Sequence, residues 1–228
     1  YKAFYNSAPD SFPMDFSQLT TYIWLQQALL AMFMPWLFDS EIFDNITSGN
    51  VAYELCRPCD LYNMWFVKNA ATRLANTVLR CIPIIIVAAF LPYPYNISLP
   101  AGWVQGILFI VSAILGFSLL VSISILVYIS AFYTLSADGI KILTVTLIDF
   151  FSGAVIPIPF FPDGVQTAFN LLPFASLQST PFLIYVGYTT GKEALISIAV
   201  QVFWLAVTLV AGRLMIKRAL KKVVVQGG

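Results

Sequence analysis

The chain has 228 residues, of which 59% are apolar and only 10% charged, with a net charge of +1 and no histidine. A soluble fold of this size cannot bury so much apolar surface, so lipid must be part of its solvent. The near-neutral charge excludes a polybasic nucleic-acid binder, the missing histidine removes the usual general base and the commonest metal ligand, and three cysteines cannot build a disulfide scaffold.

The sequence begins at Tyr1 with a polar stretch that does not read as a signal peptide. Charge gaps then mark the apolar segments. No charge occurs from Phe16 to Phe38, or from Cys81 to Ala137, a run long enough for two spans. The prolines at 92, 94 and 100 divide that second run, because closely spaced prolines break a helix. Ile140–Phe161 is uncharged except for Lys141 and Asp149, and Ala194–Gly212 is uncharged again. A spanning helix needs about 20 apolar residues. The expected architecture is therefore an all-α integral membrane bundle forming a single domain over residues 1–228. Its five spans are Gln18–Phe38, Arg73–Leu91, Trp103–Tyr133, Ile140–Phe161 and Ala194–Met215.

Orientation follows from Lys and Arg placement. Arg57, Lys68, Arg73, Arg80, Lys141, Arg213, Lys217, Arg218, Lys221 and Lys222 fall on one side of this topology, leaving Lys2 and Lys192 opposite. The charged side is expected to be cytoplasmic, with the C-terminus inside. Residue 1 then lies outside. A cytoplasmic native N-terminus would require one more span before Tyr1, for six in all.

Two regions are neither spans nor plain loops. In Asp39–Asp60, Asp39 or Ser40 can cap a short helix. Ile42, Phe43 and Ile46 share one face of it, and Gly49 can end it in a left-handed turn. Such a helix would lie on the cytoplasmic membrane surface, although the pattern alone equally fits an ordinary amphipathic loop. Residues 162–191 are mostly uncharged but interrupted by Pro173, Pro181, Gly187 and Gly191. They fit short re-entrant helices in the outer leaflet, provided that protein satisfies their free backbone groups.

Chemistry-bearing motifs are few. Gly191-Lys192-Glu193 lacks the rest of a phosphate loop, so ATP hydrolysis is not expected in this chain. The absence of histidine excludes Ser-His-Asp and Cys-His sites. Cys56-Arg-Pro-Cys59 has redox-like spacing but no further metal ligands, and incidental cysteines are the simpler reading. Asp149 is the only carboxylate well inside a span. It either serves a substrate or proton path or bonds to Thr146, Ser152 or a neighbouring helix. Arg80 is expected to snorkel. The tryptophans at 24, 36, 65, 103 and 204 suit an interfacial belt. Ser112, Gly116, Ser118, Ser122 and Ser124 suit close helix packing or a subunit interface.

One ordered pattern carries a resemblance: Ile42, then Ile46-x-Ser48-Gly49, then Ala52-x-x-Leu55-x-Arg57-Pro58, lying between two spans. Phe151-Ser-Gly153, Ile156-Pro157, Phe161-Pro162 and Leu172-Pro173-Phe174 follow in order. Together these resemble the permease subunits of six-span bacterial ABC-2 type exporters. The resemblance implies two permeases, identical or related, packed in the bacterial cytoplasmic membrane. It implies a separate ATP-binding cassette subunit that holds ATP and Mg, docked on the connection between two spans. It also implies an amphiphilic cargo: a drug, peptide, lipid or glycan. Ile42, Phe43, Ile46, Gly49, Leu55, Arg57 and Pro58 would couple to the ATPase, and Glu54 is added by position. Asp149, Ser152 and Pro157 are assigned to a substrate path. Two rival readings are a proton-coupled secondary transporter using Asp149 and a non-transporting membrane scaffold. No repeat between the halves favours the first.

Overall fold

The computed structural model describes Tyr5, residues 13–134 and residues 137–221. Lys2 and Lys222 lie outside the described residues. Helices and connecting turns make up the described residues, with no strand among them.

The N-terminal apolar segment is a broken helix. Asp15 and Gln18 form a capping box that starts α1 (Phe16–Ala28), and after Leu29 the chain resumes as α2 (Leu30–Phe33). Pro35 ends it, because a proline ring pushes the preceding residue out of the helical region, and Met34 is extended at ψ 114°. The expected continuous span to Phe38 is therefore split at Leu29 and stops at Phe33. Two short helices follow, α3 (Ser40–Thr47) and α4 (Val51–Leu55).

Asp60 accepts a hydrogen bond from the Asn63 amide at 2.9 Å and so starts α5 (Leu61–Phe90), three turns ahead of the expected start at Arg73. The helix continues through Pro83, which leaves the Leu79 carbonyl without its usual helical donor. α6 (Trp103–Ser130) ends shortly before the expected Tyr133. α7 (Asp138–Phe151) is only 14 residues, about 21 Å by helical rise. The expected fourth span to Phe161 ends early because the chain turns at Gly153, at φ +78°, and then meets Pro157, Pro159 and Pro162. A 3₁₀ turn (Ile158–Phe160), α8 (Asp163–Leu171) and α9 (Ser179–Tyr185) lead to α10 (Gly191–Leu220). Among the described residues, α5, α6 and α10 are long and apolar enough to cross a membrane.

α6 is the central helix, packed against α5, α9 and α10. The serines at 112, 122 and 124 and Gly116 all face the interior. A Cβ at Gly116 would sit 2.2 Å from the Leu177 carbonyl oxygen, so only glycine lets the 176–177 backbone lie against this helix. Gln201 of α10 is fully buried and donates to the Ser112 carbonyl at 3.1 Å and the Ser176 carbonyl at 2.7 Å. Trp204 donates to the Leu171 carbonyl at 2.9 Å. Side chains of α10 thus satisfy backbone acceptors at the end of α8 and in the irregular stretch before α9, as a low-dielectric setting requires.

Two cores divide the bundle lengthwise. One joins α1, the middle of α6 and α9 through Leu19, Tyr22, Phe117, Leu120 and Phe182. The other gathers α3, the start of α5, the end of α6 and the end of α10 through Ile42, Trp65, Tyr128, Ile129 and Ile216. Lys68, Lys141, Arg213, Lys217 and Arg218 all belong to elements that meet at this second core. The outward faces of α5 and α10 carry Leu79, Ile82, Phe90, Ile196, Phe203 and Val210, each at least half exposed and suited to lipid.

Candidate functional site

The segment between α2 and α5 is built as an anchored surface element. Asp39 caps α3 by accepting from the Glu41 amide at 3.0 Å. The apolar residues of this helix recur at helical spacing, so Ile42, Phe43 and Ile46 turn together into the second core and are buried there. Phe43 packs edge-on against Tyr128, with ring centroids 5.0 Å apart, and Lys141 places its ammonium 3.7 Å over the Phe43 ring. The outer side of α3 is held by Lys68 of α5, which bridges Asp39 at 2.9 Å and Glu41 at 2.6 Å.

Gly49 ends this first helix at φ +78°. No atom lies within 4 Å of where a Cβ would stand, so conformation and not crowding requires glycine here. In α4, Val51 is buried whereas Tyr53 is 76% and Leu55 42% exposed. Arg57 and Pro58 continue the exposed tip.

The structure therefore separates the eight expected coupling residues into four groups. Ile42, Phe43 and Ile46 face inward, into the second core. Gly49 shapes the turn. Leu55, Arg57 and Pro58 remain at the surface. Glu54 is a brace and not a free ionic contact: its carboxylate accepts from the Trp65 indole at 2.9 Å and from Asn45 at 3.3 Å. Trp65 is correspondingly fully buried, which removes it from the expected interfacial belt. Nothing in the local sequence pairs Glu54 with Trp65, since the contact needs the turn at Cys56–Asp60 to fold α4 back along α5.

Arg73 is the residue that sequence reasoning misplaced. Expected among the surface cations, it is fully buried. Its Nε donates to Asn69 Oδ1 at 2.7 Å, and its terminal nitrogens donate to the Met34 carbonyl, to the Leu37 carbonyl at 2.9 Å and to Ser124 Oγ at 3.2 Å. The signal for its burial lies in Asp60, whose capping extends the helix and carries Arg73 inward. Arg80, two turns further on, is exposed and donates to the Gln27 carbonyl at 3.3 Å, next to the break at Leu29.

The three residues assigned to a substrate path do not share one environment. Ser152 is buried and accepts from Gln178 Nε2 at 3.0 Å. Pro157 is buried at the head of the 3₁₀ turn. Asp149 is partly exposed on α7 and makes no hydrogen bond or ion pair with a described residue, so neither Thr146 nor Ser152 serves it. The structure does not bring it together with the other two through any such bond. Cys56 and Cys59 are both exposed and free, and no group of three or more metal-ligating side chains occurs among the described residues.

No curated protein and no solved structure matches the chain. A family model described as ABC-2 family transporter protein matches residues 14–227, a stretch that contains every helix from α1 to α10. With that match and, among the described residues, three helices long and apolar enough to cross a membrane, the chain belongs to the ABC-2 transporter family and is a transmembrane permease of that family.

Proposed function

We propose that the chain is the membrane subunit of an ATP-driven exporter, powered by a separate ATP-binding cassette subunit that docks on the segment from Asp39 to Asp60. One observation carries this reading. α3 is buried through Ile42, Phe43 and Ile46 in a core shared with α5, α6 and α10, while the tip just beyond it presents Tyr53, Leu55, Arg57 and Pro58 to the outside. An element rigidly joined to several membrane helices and open on its far side suits transmission of force from a partner. Coupling requires that the partner's contacts differ between two states. Here, ATP-dependent closure of the partner would push on the tip and re-angle the helices.

In this reading, ATP and Mg reside in the partner, and two permeases, identical or related, form the pathway in the bacterial cytoplasmic membrane. The basic end, with Arg57, Lys68, Lys141 and the C-terminal cations, faces the cytoplasm. The stretch with α8 and α9 dips into the outer leaflet. The exported cargo is an amphiphile such as a drug, peptide, lipid or glycan, and Asp149, Ser152 and Pro157 lie along its route.

The test is co-purification of the tagged full-length chain in a gentle detergent, with the associated subunits identified by mass. An ATP-binding cassette subunit in about one-to-one ratio, with ATPase activity in the complex, is the expected result. A folded chain that returns without one would overturn the proposal.

A further inference from the structure

The chain between the first membrane segment and the surface helix is held by its backbone. Residues 34–39 are not helical, because Pro35 stops α2 and Asp39 starts α3. Three backbone groups of this short link are taken by side chains from two other helices. Arg73 of α5 donates to the Met34 and Leu37 carbonyls, and the Asp39 amide donates to Tyr128 Oη of α6 at 2.8 Å. Asn69 joins the two clamps: its Oδ1 accepts from Arg73 at 2.7 Å, and its Nδ2 donates to the same Tyr128 oxygen at 3.0 Å.

Holding a guanidinium here is costly. Arg73 is fully buried, and no carboxylate of a described residue lies within ion-pair distance. A buried charge without an ion partner is normally avoided in favour of apolar packing. What compensates it is a set of carbonyl dipoles where a helix ends, together with Asn69 and Ser124. A planar fork with five donors can hold acceptors in several directions at once, which a lysine cannot. Packing alone does not call for this arrangement. A clamp on a hinge does.

We propose that Arg73 and Tyr128 are positioning residues that make residues 34–39 a stiff joint, so that displacement of α3 is carried into α5, α6 and the first membrane segment together. This rests on the export function proposed above. With the clamp released, α3 would move by bending its own link, and work done by the partner would be lost there.

The test uses the full chain reconstituted with its ATPase in vesicles, comparing Tyr128→Phe, Arg73→Gln and the double variant with the unsubstituted chain. Tyr128→Phe keeps the ring that packs on Phe38, Phe43 and Trp65, so the fold is retained even where Arg73→Gln assembles poorly. Cargo moved per ATP hydrolysed is expected to fall about ten-fold in Tyr128→Phe, the size of a typical coupling between sites. Co-purification and ATP hydrolysis should stay near the unsubstituted level. The double variant should be no worse than the poorer single one, since Asn69 joins the two clamps into one unit. Unchanged transport per ATP in Tyr128→Phe, or assembly, hydrolysis and transport all declining in proportion, would overturn the clamp. An unsubstituted chain that neither binds nor is driven by an ATPase would instead overturn the exporter reading, and the clamp with it.

Discussion

The Trp65 indole donates to the Glu54 carboxylate at 2.9 Å, and this bond ties the exposed tip of the surface segment to the first turns of a membrane helix. Trp65 is fully buried, so its N–H has no water to fall back on. Glu54→Ala is expected to lower stability by about 1–3 kcal/mol, the cost of leaving a buried donor unmet. Glu54→Gln keeps an acceptor and should cost less. Thermal unfolding in detergent, read by intrinsic tryptophan fluorescence, checks this. Equal effects of the two substitutions would mean that the charge and not the hydrogen bond matters.

The expected coupling residues divide by direction, and their variants should divide likewise. Ile46→Ala removes part of the second core and is expected to cost about 2–5 kcal/mol, lowering the yield of folded chain. Arg57→Ala removes a fully surface side chain and should change stability by no more than about 0.5 kcal/mol. Its effect should appear only in binding of the ATPase subunit, measured by co-purification. Loss of folded Arg57→Ala, or normal binding by it, would place the docking surface elsewhere.

Two glycines separate crowding from conformation. Gly116→Ala puts a methyl 2.2 Å from the Leu177 carbonyl oxygen, a contact with backbone that cannot move aside cheaply. The expected outcome is displacement of the stretch before α9 and loss of the Gln201–Ser176 bond, read as faster proteolysis there. Gly49→Ala meets no neighbour but must adopt φ +78°, which costs about 1–2 kcal/mol for a residue with a Cβ. Its damage should stay local to the turn between α3 and α4 and leave the bundle's unfolding midpoint close to normal.

The surface helix was legible as one of two equal readings, because its information is local: a cap at Asp39 or Ser40, three apolar residues at helical spacing, and a glycine to stop it; the burial that decides against a loop comes from Tyr128 and Trp65, far along the chain. The long uncharged helices were legible from local pattern as well. The break in the first membrane segment was only half legible. Pro35 announces its end, but Leu29 carries no breaking signal, and the Gln27 carbonyl beside it is served by Arg80 from another helix. Gln201 is likewise invisible in an apolar run, because its acceptor at Ser176 is brought near only by Gly116 and the folding of the chain after α7. Arg73 was misplaced because charge counting treats an arginine near a helix start as interfacial. The cap at Asp60 moved the start and with it the arginine's depth.

Asp149 decides between ATP-driven and proton-driven transport. It stands about three turns along α7 from Asp138, some 16 Å by helical rise. No described residue pairs with it, and an unpaired intramembrane carboxylate is costly enough to need a water-filled path, a cation or a second subunit beside it. If the partner ATPase supplies the energy, collapsing the proton gradient should not change the transport rate of the unsubstituted chain or that of Asp149→Asn, while withdrawing ATP stops both. If Asp149 instead carries the driving proton, gradient-dependent transport should proceed without ATP and vanish in Asp149→Asn. The measurement is cargo uptake into inside-out vesicles with ATP and a protonophore varied independently. The first pattern is expected, because an element as firmly anchored as α3, with an exposed tip beyond it, has no part to play in a transporter driven by protons alone.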